Sequence, residues 1–175
     1  MNRSRSETGD RTQRRSGETM ILFSVGGSKF AIAAGEVNEI RDLSGLQKFS
    51  LDGANPRFGK VKQVFERQGR RYFVVDSCEH FHLAMARPSR LLVLQHASTA
   101  IVVDAIDCMV ELNSIQALPR PFSGEERNWY RGLAVVNGKV IPVVRPESFL
   151  NSADVALIEA SLRGREAAAR LGAGV

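Results

Sequence analysis

Residues 21–34 read ILFSVGGSKFAIAA and residues 90–103 read RLLVLQHASTAIVV, so one apolar pattern occurs twice, 69 residues apart. The same offset aligns the whole of residues 21–81 with residues 90–150 without a gap; apolar residues keep their places, and Gly69 aligns with Gly138. A duplicated unit of this size predicts two similar lobes that meet at a seam, and a seam is a natural place to hold a partner.

The local signals in the first half are mostly those of β-strands. Gly26-Gly27 separates two apolar runs and has the free backbone that a tight hairpin turn needs. Gln68-Gly69 separates a second pair of runs in the same way. The strands predicted here are Met20–Val25, Lys29–Ala34, Leu46–Leu51, Lys60–Arg67 and Arg70–Asp76.

The second half repeats this order. Asn137-Gly138 is a strong hairpin signal, because both residue types tolerate positive φ. The hairpin strands predicted in this half are Arg90–Gln95, Thr99–Asp104, Trp129–Val136 and Lys139–Arg145. About five strands per half is the content of a small closed barrel, so the sequence predicts a mainly β protein with two barrel-like lobes.

One segment in each half is predicted to be helical. In Gly35–Leu43, the apolar residues Val37, Ile40 and Leu43 recur every third position and would share one side of a short helical turn. Ala105–Leu112 is predicted to form the matching helical turn or its extended equivalent.

The first 18 residues are predicted to be a disordered tail. Five arginines stand there against Glu7, Asp10 and Glu18, and no aromatic or branched aliphatic side chain is present to bury. A solvating tail is the favoured interpretation, although arginines could also bind nucleic acid phosphates.

The chain after residue 150 departs from the repeat, and residues 151–175 are predicted to form a C-terminal helix and tail. Ser152-Ala153-Asp154 resembles a helix N-cap. Val155, Ile158, Leu162 and Ala169 can share one face of this helix. Packing of that face on the protein's own body is favoured over a face reserved for a partner.

Composition narrows the class of protein. Of the 175 residues, 43% are apolar and 25% are charged, as in ordinary globular proteins. No apolar stretch approaches the roughly 20 residues that span a bilayer. Cys78 and Cys108 lack a disulfide framework spacing, so free thiols in a reducing, cytoplasmic compartment are expected. Neither a phosphate-binding P-loop nor a nucleophile elbow is present in the sequence.

Two local motifs leave alternatives open. Cys78-x-His80-x-His82 places thiol and imidazole groups at alternate positions, which would face one side of a strand and could serve a metal-binding or redox protein. Structural roles for these residues are favoured, and no metal or cofactor is predicted. Trp129-Tyr130 could be an interface anchor or part of the core.

The order of several short motifs resembles the CheW-like adaptor domain of bacterial chemosensory arrays. Val37 through Arg41 resembles the family's V-x-E-I-R segment, and Val74-Val75-Asp76 resembles its P-V-V-D-L strand. Ile101 through Asp104 matches I-V-V-D, and Tyr130 through Leu133 resembles a later tyrosine–glycine motif. The likeness covers about residues 20–150.

The resemblance implies an architecture and a function. It implies a domain at residues 19–150 with two pseudo-symmetric five-stranded SH3-like β-barrel lobes, at about residues 20–83 and 89–150. It implies a non-catalytic adaptor that couples the cytoplasmic tip of a chemoreceptor (a methyl-accepting chemotaxis protein) to the regulatory domain of a CheA-type histidine kinase, without binding nucleic acid or entering the membrane. The residues that it assigns to the receptor are Val37, Glu39, Ile40, Arg41, Gln68 and Gly69.

The chain departs from the family at one turn. The family's N-L-R-G is Glu66-Arg67-Gln68-Gly69 here, so a neutral amide replaces the arginine that contributes to receptor coupling. Arg67 is expected to face the opposite side of its strand from the neighbouring residue. A divergent coupler, or a CheW-like body recruited to a different protein partner, would both fit this departure.

Overall fold

The computed structural model describes residues 17–45, 49–50, 59–84 and 87–172. Of the tail predicted at residues 1–18, residues 1–16 lie outside the described part of the chain, as do the last three residues. The predicted end of the tail is wrong, because Glu18 is the first residue of a β-strand. The strand predicted at Leu46–Leu51 is described only at Phe49–Ser50, where it is a strand.

Within these ranges the chain forms eleven strands and three α-helices. The first half contains β1 (Glu18–Val25), β2 (Ser28–Ala33), β3 (Val37–Asp42), β4 (Phe49–Ser50), β5 (Val61–Arg67), β6 (Arg70–Asp76) and α1 (Ser77–His80). The rest contains β7 (Arg90–Leu94), β8 (Thr99–Val103), β9 (Ala105–Leu112), α2 (Glu126–Trp129), β10 (Tyr130–Val136), β11 (Lys139–Val144) and α3 (Ser152–Gly172).

The offset of 69 residues connects like elements. Under this offset β5 aligns with β10 over its whole length, and β6 aligns with β11 except for its last residue, Asp76. The same offset carries α1 onto the 3₁₀ turn Pro146–Ser148. The repeat in the sequence is therefore a repeat of structure.

Two sheets make up the body, and each takes strands from both halves. The first sheet has the order β10-β11-β2-β1-β9, and the second has the order β3-β7-β8-β6-β5-β4. The two halves exchange their first hairpins. The hairpin β1–β2 joins the second half, where β1 pairs with β9 and β2 runs parallel to β11. In the same way, the hairpin β7–β8 joins the first half, where β7 pairs with β3 and β8 runs parallel to β6. The predicted mainly β fold with two barrel-like lobes and a C-terminal helix is confirmed. The expected division at residues 20–83 and 89–150 does not separate the sheets, because each half lends its first hairpin to the other.

The predicted helical turn at Gly35–Leu43 is wrong. A 3₁₀ turn at Ala34–Glu36 leads into strand β3, whose side chains alternate between half-buried and exposed. Pairing with β7 satisfies the backbone of this segment, which overrides the three-residue spacing of its apolar residues. The matching segment in the second half, β9, takes the extended form.

Apolar side chains collect in three clusters. One fills the interior of the first sheet around Met20, Leu22 and Ile141, and another fills the second sheet around Phe65, Leu91 and Val93. The largest lies between the sheets and holds most of the buried aromatic rings, among them Phe23, Phe30, Phe73, Phe81, Tyr130 and Phe149. Trp129 packs against this central cluster, so Trp129-Tyr130 belongs to the core. Burial between the sheets therefore holds the two lobes together.

Helix α3 begins with a reciprocal capping box. The side chain of Asn151 accepts a hydrogen bond from the Asp154 amide at 2.8 Å, and the Asp154 carboxylate accepts one from the Asn151 amide at 3.3 Å. Asn151 is thus the N-cap, one residue before the predicted Ser152-Ala153-Asp154. Ile158 is buried in the central cluster, which confirms that the helix packs on its own body; Val155 and Leu162 pack beside it. The side chain of Ala169 lies outside the described part.

Candidate partner-binding surface

Strand β3 presents its predicted site residues on two different faces. The pairing of β3 with β7 shifts in register between Val37 and Glu39. Val37 and Ile40 are opposite Leu94 and Leu92, which both belong to the central cluster. Glu39 and Arg41 are opposite Val93 and Leu91, inside the second sheet's own cluster. Directly paired residues share a face, so the structure separates an apolar pair from a charged pair.

Glu39 and Arg41 belong to a charged cluster with strand β5. Glu39 forms an ion pair with Arg67, and the Nε of Arg41 lies 3.9 Å from the Oε1 of Glu39. The guanidinium of Arg41 also lies over the ring of Phe65, 5.7 Å from its centroid. About a third of the side-chain surface of each of these three charged residues is exposed, so the cluster is open to a partner at its rim.

This cluster includes Arg67, the residue before the turn. Arg67 shares a face of β5 with Phe65, which points toward Glu39 and Arg41. Gln68 follows at φ 49° and starts the turn with Gly69 at φ 74°, so regular alternation stops at Arg67. Arg67 and Phe65 were not among the site residues predicted from the sequence; their spacing of two residues on the strand next to the turn was the available signal.

The turn and α3 enclose two clefts along the seam. One cleft of about 460 Å³ is lined by Gly69, Arg70 and Arg71 from the β5–β6 turn and by Glu159 and Arg163 from α3. The other, of about 520 Å³, has an apolar floor with Leu94, Leu150 and Val155 and a charged rim with Glu36, Arg70 and Glu147. The predicted turn Gln68-Gly69 therefore lies beside α3, at the margin of the lobe seam.

The structure does not bring the Cys78, His80 and His82 side chains into a metal cluster. Ser77–His80 is a helical turn capped by Asp76, not a strand, and His82 has φ 54°. In the described part of the chain, no group of three His, Cys, Asp or Glu residues is placed to hold a metal ion.

His80 instead belongs to the aromatic core. Its ring lies 4.6 Å from that of Phe149 and 5.2 Å from that of Trp129, and its Nδ1 lies 3.3 Å from the amine of Lys60. Burial, together with the charges of Lys60 and His82, lowers the pKa of His80 to about 3. Burial also lowers the pKa of Lys60, against the opposing pull of Asp154 and Glu125. His80 is therefore a neutral core side chain at pH 7.

The helices in the described part of the chain include none with both the length and the apolar character needed to cross a bilayer.

Comparison with known proteins identifies the body of the chain. No curated protein is matched by sequence. The solved structure of the scaffolding protein TtCheW from Thermoanaerobacter tengcongensis superposes with a TM-score of 0.65 at 15% identity, over 78% of this chain and 94% of that one. The family model described as a CheW-like domain matches residues 19–154. Apart from the first residue of β1, this match takes in both sheets and all eleven described strands, and the chain therefore belongs to the CheW-like domain family.

Proposed function

We propose that this protein is a non-catalytic cytoplasmic adaptor that couples the tip of a chemoreceptor to a CheA-type histidine kinase. The observation that carries this proposal is the extent of the family match, since residues 19–154 include the whole two-lobed body. An adaptor needs no chemical step of its own. It transmits a signal when binding of one partner changes the populations of states to which the other partner binds.

The receptor surface in this proposal is the charged cluster of Glu39, Arg41 and Arg67 together with the turn Gln68-Gly69. Arg67 is held by Glu39 within the cluster, so the guanidinium here sits one residue earlier than in the family. Gln68, exposed in the turn, can offer only a neutral amide. Val37 packs against the central cluster, and Ile40, which is 43% exposed, would form the apolar side of the same contact.

Reconstitution of the three components tests the adaptor function. A cytoplasmic chemoreceptor fragment and the regulatory domain of a CheA-type kinase, both from the same organism, should sediment together only when this protein is present. Failure to bridge them, with the protein folded, would contradict the adaptor function.

The turn gives a sharper test of the receptor surface. Gln68→Arg should tighten binding of the receptor fragment about fivefold, since a charged hydrogen bond contributes roughly 1 kcal/mol more than a neutral one. Asn137→Arg is the matched control, because Asn137 occupies the equivalent turn with φ 51° and lies on the other lobe. Isothermal titration calorimetry measures both affinities, and kinase binding should not change in either variant.

The replacement of the family's arginine by Gln68 favours one alternative. If Gln68→Arg and Asn137→Arg leave receptor affinity equally unchanged, the surface is misplaced, and the protein is a CheW-like body recruited to a different protein partner.

A further inference from the structure

The tips of the β5–β6 and β10–β11 hairpins occupy equivalent positions but differ in chemistry. Glu66 and Arg71 face each other across the first hairpin and form an ion pair at 3.4 Å. The residues 69 positions later, Val135 and Val140, face each other across the second. Val135 is 54% exposed and Val140 is 63% exposed, so an apolar pair is in contact with water where the other half has a charged pair.

Helix α3 runs past the first of these tips. Glu159 and Arg163 of α3 line one cleft with Glu66 and Arg71. Deeper in the same hairpin, Val64 is 8% exposed and Phe73 is fully buried, and both belong to the central cluster that also contains Ile158 of α3. The side of the β5–β6 hairpin that faces the seam between the lobes therefore lies next to α3.

The second hairpin has no helix in the equivalent place within the described part of the chain. Leu133 and Pro142 match Val64 and Phe73, yet they are only half-buried. The equivalent of α3 would come after His82, but there the chain continues as residues 83–84 and, after two residues outside the described part, leads into β7. The apolar side of β10–β11 that faces the seam is therefore left open toward its tip.

We propose that Leu133, Val135, Val140 and Pro142 form a docking surface for an amphipathic α-helix of a partner protein. The chain's own α3 shows that this arrangement of hairpin and seam accepts a helix. The partner helix takes the equivalent place on the other lobe, with apolar residues at positions i, i+3 or i+4 and i+7. This surface is separate from the Glu39 cluster and does not depend on which partner that cluster binds.

Charge at the rim defines the partner further. Lys139, next to Val140, is exposed and has no ion pair with any residue that the structure describes. Its equivalent, Arg70, shares a cleft with Glu159 of α3. A helix seated on β10–β11 should accordingly carry Asp or Glu beside its apolar stripe.

The described part of this chain does not supply such a helix itself. The apolar face of α3 is turned to the central cluster, and its large exposed apolar side chain among the described residues is Leu157. Residues 2–16 contain no large apolar side chain. A partner protein, and not a second copy, is therefore the occupant that the chemistry favours.

Site-specific photocrosslinking in the native host tests the proposal. The photoreactive residue p-benzoylphenylalanine is placed at position 135 in the full chain, or at position 66 as the matched control, and mass spectrometry maps the crosslinked residues. Position 135 should crosslink to a partner segment at helical spacing, flanked by acidic residues. Position 66 should crosslink within the chain, to α3. Crosslinks from position 135 to a second copy of this chain, to an extended segment, or to no protein above the control level would overturn the proposal.

A double variant shows whether the apolar pair is responsible. Val135→Glu with Val140→Arg transfers the ion pair of the first hairpin to the second, where the same backbone arrangement accommodates it. A probe placed at position 133 in this variant should lose at least nine tenths of its crosslink to the partner helix, while the melting temperature and the α3 crosslink from position 66 stay unchanged. An unchanged yield in the folded double variant would also refute the proposal. Receptor binding through Glu39 is measured in the same variant and should persist, which separates this proposal from the adaptor function.

Discussion

All described strands of the first half except β4 have counterparts in the second half, yet the two halves differ in the segment that follows their last strand. After β6 the chain makes one helical turn, passes His82 at φ 54° and continues toward β7. After β11 the chain makes a 3₁₀ turn and then forms α3, a helix of 21 residues whose N-cap is Asn151. His82 and Asn151 are equivalent under the repeat, so the structures that follow the last strands diverge at this position. Where they agree, the residues serve the fold; where they differ, the surfaces differ and separate partners can be bound.

The largest expected effect concerns equivalent residues inside and outside the central cluster. Phe73→Ala should lower the free energy of unfolding by about 3–5 kcal/mol, because Phe73 is fully buried and its loss leaves a cavity. Pro142→Ala, at the equivalent but half-buried position, should cost about 1 kcal/mol or less. Urea unfolding measures both. Equal losses would mean that the seam-facing side of the second hairpin is as buried as that of the first.

A second substitution tests whether α3 belongs to the body. Ile158→Ala should lower the free energy of unfolding by roughly 2–5 kcal/mol, since Ile158 is 4% exposed within the central cluster. Leu157→Ala, next to it on the exposed face, should change the value by about 0.5 kcal/mol or less. The two variants share helix and residue size, so a similar small effect in both would show that α3 does not cover the first hairpin.

The pH dependence of stability tests the burial of His80 among the aromatic rings of the central cluster. His80 and Phe149 are equivalent under the repeat and their rings are 4.6 Å apart. The folded pKa of His80 is about 3, below the ordinary value of 6.5, so the unfolded chain binds a proton that the folded protein excludes. Stability should therefore fall as the pH drops below about 6.5, by about 2 kcal/mol at pH 5.

His80→Phe makes the two halves alike at this position and should remove that part of the pH dependence. Urea unfolding at pH 7 and pH 5 measures it. His96→Gln, at an exposed histidine on the β7–β8 turn, is the control and should leave the difference between the two pH values unchanged. A parent protein equally stable at both pH values would mean that His80 is protonated without cost.

Much of the fold could be predicted because the repeat and the turns are local signals. The offset of 69 places equivalent strands correctly, and Gln68-Gly69 and Asn137-Gly138 both form the predicted turns, with φ values near 50° and 74°. The exchange of first hairpins could not be predicted, since β3 has equivalent pairing edges on β1 and β7. Only long-range packing selects between them.

The predicted site residues show a similar limit. Val37, Ile40 and Leu43 recur every third residue, which favours a helical turn until the neighbouring strand is known. In a strand, a shift of the pairing register by one residue reverses which side chains face the core. The register shift of β3 between Val37 and Glu39 has no signal in the sequence. The burial of His80 did have a signal in the sequence, because its equivalent under the repeat is the apolar residue Phe149. The receptor role of the Glu39 cluster stays a prediction.

The smallest expected effect tests the position where the halves part. Asn151→Ala removes the side-chain acceptor that binds the Asp154 amide and should lower the free energy of unfolding by about 1 kcal/mol. Ser152→Ala is the matched control, one residue inside the helix, and should change it by a few tenths of a kcal/mol, because alanine favours helix interiors. Thermal unfolding followed by circular dichroism at 222 nm measures both. A larger loss in Ser152→Ala would return the cap to the position that the sequence predicts and would move the divergence of the two halves one residue further along the chain.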